Sequence, residues 1–147
     1  MKFIFIPLSL FVTLSFSDTS YAAADQQFIA KFKNALVHRD KSKIMSLVYK
    51  EGALEQALSG YDTLLEGLFS AGELVYRFED PLPEAVYTFE RDGVTYTTNL
   101  SVIKVLFVDD PTVEPNSGKF SSYQFPLGVI EGKLYITTTT IKNPNKF

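Results

Sequence analysis

Few side chains in this sequence are able to do chemistry. The 147 residues include one histidine and no cysteine, which removes thiol nucleophiles and the His and Cys sets that bind zinc. His38 stands beside Arg39 at the end of a predicted helix, where a cationic side chain interacts favourably with the helix dipole. The chain has no phosphate loop, dinucleotide fingerprint or Gly-x-Ser-x-Gly elbow. The sequence therefore predicts no catalytic residue, metal or cofactor, and it leaves enzymatic activity uncertain.

Tyrosine is the residue type whose number and placement suggest a site. Eight tyrosines occur, and several fall in predicted strands, where a ring can line a cavity and aim its hydroxyl at a ligand. We take Tyr76 and Tyr96 as candidate pocket residues, together with Arg77 and Glu90, the charged side chains most readily placed within a sheet. Ordinary strand packing is the alternative for the tyrosines, and an exposed sheet face is the alternative for Arg77 and Glu90.

The element that must position these residues is the stretch Val94–Val108, whose β-branched and aromatic composition predicts one long paired strand. Its apolar residues occupy even positions up to Val102 and odd positions from Ile103. Because side chains alternate faces with period two, this change predicts a bulge or bend between Leu100 and Ile103. A bent strand curves its sheet, and we predict that the concave face, lined by the two candidate tyrosines, is the ligand or partner site.

Helical periodicity precedes the strands. It predicts three helices, beginning at Asp25, spanning Asp40–Tyr49 and spanning Ala53–Ser70. Asp25 and Asp40 are the predicted N-caps of the first two. Glycine costs about 1 kcal/mol relative to alanine inside a helix, so the third helix is predicted to weaken or break near Gly60.

The remaining chain predicts antiparallel strands. The five predicted segments are Leu74–Glu79, Ala85–Glu90, Val94–Val108, Phe120–Ile130 and Leu134–Ile141. Asp92-Gly93 is a hairpin signal, and Thr137–Thr140 is predicted to form an outer sheet surface. The predicted core joins the third helix to the long strand through Leu64, Leu68, Val105 and Phe107. The expected fold class is α+β, with N-terminal helices packed on a curved antiparallel β-sheet.

The N-terminus resembles a secretory signal peptide. Lys2 provides a positive start, an apolar stretch follows to Phe16, and Tyr21–Ala24 offers small residues for cleavage. We therefore predict a signal peptide at residues 1–24, a single domain at residues 25–147, and a periplasmic or secreted location. Without Lys2 and Asp18 the chain keeps 13 basic and 16 acidic residues, a balance that predicts no nucleic-acid partner and no membrane association after cleavage.

The order of elements resembles the cystatin-like cone of the nuclear transport factor two-like superfamily. The local pattern that carries the resemblance is Phe32-x-x-Ala35-Leu36-x-x-x-Asp40-x-x-x-Ile44-x-x-Leu47-Val48-Tyr49. Two further segments are similar to uncharacterised exported bacterial proteins, Leu47-Val48-Tyr49-x-Glu51-Gly52 and Gly132-Lys133-Leu134-Tyr135-Ile136. Enzymes of the superfamily place an acid-base set such as Asp-His inside the cone, and this sequence has no residues that match it. The short hairpin often found before the third helix has little room between Tyr49 and Gly52.

Three functions are compatible with these observations. The leading hypothesis is a non-catalytic exported domain that binds a small molecule or a protein, as a monomer or homodimer. The first alternative is a cone-type enzyme in which a tyrosine and a carboxylate act on a small apolar substrate. The second alternative is an inhibitor or accessory subunit of an exported complex. A carboxylate with a raised pKa in an apolar pocket favours the enzyme.

Overall fold

Helices come first and strands follow, as the sequence predicts. The computed structural model describes residues 17–142, with side chains from residue 22 onward. The helices are α1 (Ser17–Val37), α2 (Lys41–Ser46) and α3 (Glu55–Phe69). They pack on antiparallel sheets of four and three strands, which confirms the α+β class. Most of the predicted signal peptide lies outside the described residues.

Helix α1 begins eight residues before the predicted N-cap. It starts at Ser17, so the prediction that Asp25 caps it is wrong. Alanines at positions 22–24 favour the helical state, and the helix runs through Asp25 without a break. The Asp25 carboxylate instead forms an ion pair with Lys104, and the two side chains are 16% and 22% exposed.

Helix α2 is capped as predicted but ends early. The Asp40 side chain accepts a hydrogen bond from the Lys43 N–H at 3.0 Å. The helix stops at Ser46 rather than near Tyr49, because the chain turns at Leu47 and Val48 forms a parallel bridge with Ile136. The predicted break in the third helix is absent, since α3 runs unbroken from Glu55 to Phe69 through Gly60.

Between residues 17 and 142, seven strands replace the five predicted ones. They are β1 (Val75–Glu79), β2 (Phe89–Arg91), β3 (Val94–Thr98), β4 (Lys104–Asp109), β5 (Ser122–Ile130), β6 (Lys133–Ile136) and β7 (Thr139–Ile141). The four-stranded sheet has the order β1-β4-β5-β6, and the three-stranded sheet has the order β2-β3-β7. Residues Glu84–Tyr87 form a 3-10 helix, which corrects the strand predicted to begin at Ala85. At Asp92-Gly93 both φ angles are positive, 53° and 73°, which is the requirement of a type I′ hairpin and confirms the predicted turn.

The predicted long strand is wrong, although its interruption falls where the alternation changes. Asn99–Ile103 separates β3 from β4, and these two strands belong to different sheets. The last predicted strand divides in the same way, between β6 and β7 at residues 137–138. The alternation of apolar side chains changes at residues 99–103 because the chain passes from one sheet to the other. The predicted single bulged strand is therefore not formed. Thr137 and Thr138 are buried at this second division, which corrects their predicted outer position.

The core lies between the helices and one face of the four-stranded sheet. Phe32 of α1 packs edge-on against Phe125 of β5, with ring centroids 5.2 Å apart. Leu68 joins this core as predicted, but β4 contributes Leu106 and Val108 instead of Val105 and Phe107. Val105 is buried outside the cluster, and Phe107 lies beneath Arg77 on the opposite sheet face. The predicted face of β4 is therefore wrong by one residue, because an apolar run buried on both sides gives no alternation from which to choose.

Candidate functional site

Two of the candidate pocket residues, Tyr76 and Arg77, are neighbours on β1 with opposite orientations. Tyr76 faces the helices, where its ring meets Phe32 edge-on at 6.5 Å and Lys33 Nζ at 4.6 Å. Burial raises the pKa of its hydroxyl. Arg77 covers the Phe107 ring at 4.0 Å, and its Nε donates to Asp109 at 2.9 Å. Both side chains are therefore engaged in packing and ion pairs.

The other two candidates, Tyr96 and Glu90, lie on the three-stranded sheet. Tyr96 stacks on Phe89, its cross-strand partner, with ring centroids 5.0 Å apart. Glu90 is exposed and pairs with Thr95, which places it on the opposite face from Tyr96. The division of the sheet separates these residues from Tyr76 and Arg77. None of the four lines any of the cavities described below.

A cavity away from all four of these residues lies between α1, α2 and β6. Its volume is about 490 Å³, within the range of about 300–1,000 Å³ typical of small-molecule sites. We call it the basic groove. Its lining residues are Ala24, Gln27, Phe28, Lys31, Asn34, Lys43, Ser46, Leu47, Gly132, Lys133, Leu134 and Tyr135.

Helix α1 supplies one wall of the basic groove. Gln27, Lys31 and Asn34 are spaced by four and three residues, so they lie on one helical face. Phe28 is adjacent to this face and belongs to the buried core. Leu47 and Leu134, from the other two walls, are also core residues. The groove therefore has an apolar floor that is fixed by the packing of the core.

Positive charge surrounds this floor. Lys31, Lys43 and Lys133 line the groove, and no aspartate or glutamate from residues 22–142 does. The Lys43 Nζ lies 3.4 Å from Asp40 Oδ2. Lys31 and Lys133 form no ion pair with any residue from 22 to 142. In a chain of net charge −3, these three lysines concentrate positive charge beside an apolar floor.

A second concave region lies between α3 and β5. Two adjoining cavities of about 390 and 340 Å³ share Gly67, Phe120 and Tyr123. Asp110 lines the larger one and accepts hydrogen bonds from the Thr112 hydroxyl at 2.5 Å and the Thr112 N–H at 2.9 Å. These bonds lower the pKa of Asp110, and burial raises the pKa of Tyr123. At neutral pH this pair is a weakly basic carboxylate and a protonated phenol, which are poorly suited to exchange protons with a substrate.

The pKa values of Asp40 and Asp109 are lowered, as that of Asp110 is. The Lys43 N–H lowers the pKa of Asp40, and the Ser122 hydroxyl with Arg77 lowers that of Asp109. His38 follows α1, and its Nδ1 lies 2.8 Å from the carbonyl oxygen of Asn34. Its predicted position at the helix end is confirmed.

The sequence gives no signal for the basic groove. Lys31, Lys43 and Lys133 are spread over about a hundred positions, and each alone is typical of a solvated surface. The Gln27, Lys31 and Asn34 face is the only local pattern, and it reads as the polar side of an amphipathic helix. Only the packing of β6 beside α1 and α2 brings the three lysines to one apolar floor.

Comparisons of the chain with protein-family models, with curated proteins and with solved structures give no match. Across residues 17–142, no helix combines the length and apolar character needed to cross a membrane. Among the side chains of residues 22–142, no three His, Asp or Glu residues are grouped so as to hold a metal ion.

Proposed function

We propose that this protein is a non-catalytic exported binding domain whose ligand is an organic anion held in the basic groove. The observation that carries the proposal is the pairing of an apolar floor with three lysines and, among residues 22–142, no lining carboxylate. A carboxylate ligand would sit among the lysines, and its hydrocarbon part would cover Phe28, Leu47 and Leu134. Burying this apolar surface contributes about 25 cal/mol per Å² before the costs of binding are subtracted.

A titration with decanoate tests this proposal, using decanol as the uncharged control. We expect decanoate to bind measurably more tightly by isothermal titration calorimetry. Lys31→Gln should weaken decanoate binding about 1.5- to 5-fold, the range for one partly exposed charge interaction. The matched control is Lys33→Gln, two residues along the same helix, where the lysine contacts Tyr76 outside the groove. Equal affinity for decanol, or equal effects of the two substitutions, would contradict the proposal.

The enzyme alternative has less support. It requires a carboxyl group with a raised pKa in an apolar pocket, whereas the pKa values of Asp40, Asp109 and Asp110 are lowered. The relationship to the cystatin-like cone superfamily stays a proposal, supported by three helices followed by antiparallel strands.

Export to the periplasm or the medium is the location we propose, supported by Lys2, the apolar stretch to Phe16 and the small residues before Asp25. Mass spectrometry of the exported protein should give an N-terminus between Ala23 and Asp25. Cleavage there would place a new amino group beside Ala24, or remove Ala24 from the groove, and in both cases would add positive charge at that end. An exported form that retains Met1 would show that the segment is not cleaved.

A further inference from the structure

The outer edge of the four-stranded sheet opens into the basic groove. Strand β6 is the last strand in the order β1-β4-β5-β6, so only β5 pairs along its length. At Ile136 the outer side of β6 is paired with the segment that follows α2. The Ile136 N–H donates to the Leu47 carbonyl oxygen at 2.8 Å, and the Ile136 carbonyl oxygen accepts from the Tyr49 N–H at 2.9 Å. Leu134, two residues earlier, lines the groove.

The backbone N–H and C=O groups of Leu134 point away from β5. Successive backbone groups alternate sides along a strand, so residues two apart direct their N–H and C=O groups the same way. Thr137 donates its N–H to Pro126 of β5 at 2.9 Å, whereas Ile136 bonds outward. On the β5 side, Leu134 lies opposite Val129 and Ile136 lies opposite Leu127. Both are non-hydrogen-bonded pairs of the antiparallel ladder. Within residues 17–142 no hydrogen bond from another segment reaches the Leu134 N–H or C=O.

An unpaired donor and acceptor on a core strand are costly to bury and available to a partner. The Leu134 side chain is buried, and the groove beside its backbone is bounded by α1 and α2. An extended peptide laid along Lys133–Tyr135 would pair with both groups and continue the sheet by one strand. This is the geometry of recognition by β-strand addition.

We infer that the basic groove takes an extended acidic peptide segment of another protein, added as a short strand to the outer edge of β6. The inference rests on the proposed anion-binding function and narrows its ligand class. Side chains of an extended segment alternate sides, so an apolar residue would rest on the floor formed by Phe28 and Leu47. Its acidic neighbours would lie among Lys31, Lys43 and Lys133.

The opposite edge of the sheet makes a useful comparison. Among residues 17–142 the outer side of β1 is also unpaired, but the strand carries the ion pair of Arg77 with Glu79, and Pro81 and Pro83 follow it. Charged side chains and prolines are common devices that protect sheet edges from pairing. The β6 edge has an apolar floor and charges of one sign instead, which favour a complementary strand.

The test uses a blocked five-residue peptide of alternating glutamate and valine. We expect it to bind and Lys31→Gln to weaken it, with Lys33→Gln as control. A version N-methylated at each central amide in turn should lose about tenfold or more in affinity at the position that donates to Leu134, because that hydrogen bond is lost. The alternating lysine and valine peptide should not bind. The Leu134 amide proton should exchange more slowly with solvent when the acidic peptide is bound.

The outcomes separate the two proposals. If decanoate binds but the peptide does not, the groove is an anion site without strand addition. The same conclusion follows if N-methylation at every position leaves the affinity unchanged, or if peptide binding leaves Leu134 amide exchange unaltered. If neither decanoate nor the peptide binds, the anion-binding function itself is wrong.

Discussion

At the scale of single residues, Asn99 connects three parts of the chain that are far apart in sequence. Its Nδ2 donates to the carbonyl oxygens of Tyr49 at 2.8 Å and Glu51 at 3.0 Å. Its Oδ1 accepts from the Thr138 N–H, and its own N–H donates to the Thr138 carbonyl, both at 2.8 Å. One side chain thus joins the corner between β3 and β4 to the corner between β6 and β7 and to the loop that follows α2. Hydrogen bonds of Asn99 therefore hold these segments together at the place where the two sheets separate.

Asn99→Asp should destabilise the protein more than Asn99→Ala at neutral pH. Alanine loses the side-chain bonds at a cost of about 1–3 kcal/mol, whereas a carboxylate also faces two carbonyl oxygens that need a donor. Acidification should recover part of the difference, because a protonated carboxyl can donate. Urea unfolding at neutral and acidic pH measures this, with Asn116→Asp in an exposed turn as the control. Equal stability of the two Asn99 variants at neutral pH would contradict the hydrogen-bond assignment.

Asp110 should make the stability of the protein depend on pH in the acid range. The Thr112 hydroxyl, the Thr112 N–H and the Gly72 N–H lower its pKa in the folded state below the ordinary value of 3.8. A group with a lowered folded pKa stabilises the fold above the unfolded pKa, and this contribution is lost as pH falls through the folded value. Asp110→Asn keeps an oxygen acceptor without the charge, so its urea midpoint should fall less below about pH 4. Asp80→Asn, on an exposed residue, should leave the acid dependence of the parent protein unchanged.

At the scale of elements, α3 tolerates two glycines for different reasons. A Cβ built on Gly67 would lie 2.6 Å from the Tyr123 hydroxyl oxygen, whereas a Cβ on Gly60 would meet nothing within 4 Å. The close approach of α3 to β5 therefore favours glycine at position 67, because the Tyr123 side chain would have to move to admit a Cβ. Position 60 has no such requirement, so its glycine only lowers helix propensity.

Gly60→Ala should stabilise the protein by about 0.5–1 kcal/mol, the difference in helix propensity. Gly67→Ala should gain less or destabilise, because Tyr123 must move. Adding Tyr123→Phe removes the hydroxyl and leaves Cζ at 3.5 Å, an ordinary contact. The double variant should therefore be more stable relative to Tyr123→Phe than Gly67→Ala is relative to the parent. Thermal melts of the five proteins decide this, and the same gain at both glycines would refute the steric argument.

Strand β5 contains a proline, a residue that cannot donate a hydrogen bond to a neighbouring strand. Pro126 has no N–H, yet the strand runs unbroken from Ser122 to Ile130. Its carbonyl accepts the Thr137 N–H at 2.9 Å, and the Thr137 carbonyl that a backbone N–H would have met lies 3.4 Å from the Tyr61 hydroxyl. Burial raises the pKa of Tyr61 to about 12. A side chain from α3 thus replaces the donor that proline lacks.

At the scale of the whole molecule, one hydrophobic core connects all three helices to the four-stranded sheet. Leu68 is 3% exposed within it. Leu68→Ala should cost about 2–5 kcal/mol, the range for truncating a buried leucine. Because the core is shared, helix content by circular dichroism and tyrosine fluorescence should decrease together on heating, at a lower temperature than in the parent. Val37→Ala, at an exposed position, is the control. Separate transitions by the two probes would indicate two independent units.

The sequence alone determined the features that depend on local chemistry. The Asp40 cap, the Asp92-Gly93 hairpin, the third helix and the α+β class all follow from patterns within short stretches of sequence, and the structure confirms each. The phase change at Leu100–Ile103 also located a real interruption. Local patterns are sufficient in these cases because the partners are neighbours in the chain.

Only the tertiary structure decided where the strands pair and where the candidate site lies. Both faces of β4 carry apolar residues, so the sequence could not choose between the Val105 and Leu106 faces, nor tell a bulge from a change of sheet. The lysines of the basic groove and the free edge at Leu134 are likewise far apart in sequence. Pairing of distant segments fixes both, because hydrogen bonds between strands and burial between layers depend on contacts that no short stretch of sequence contains.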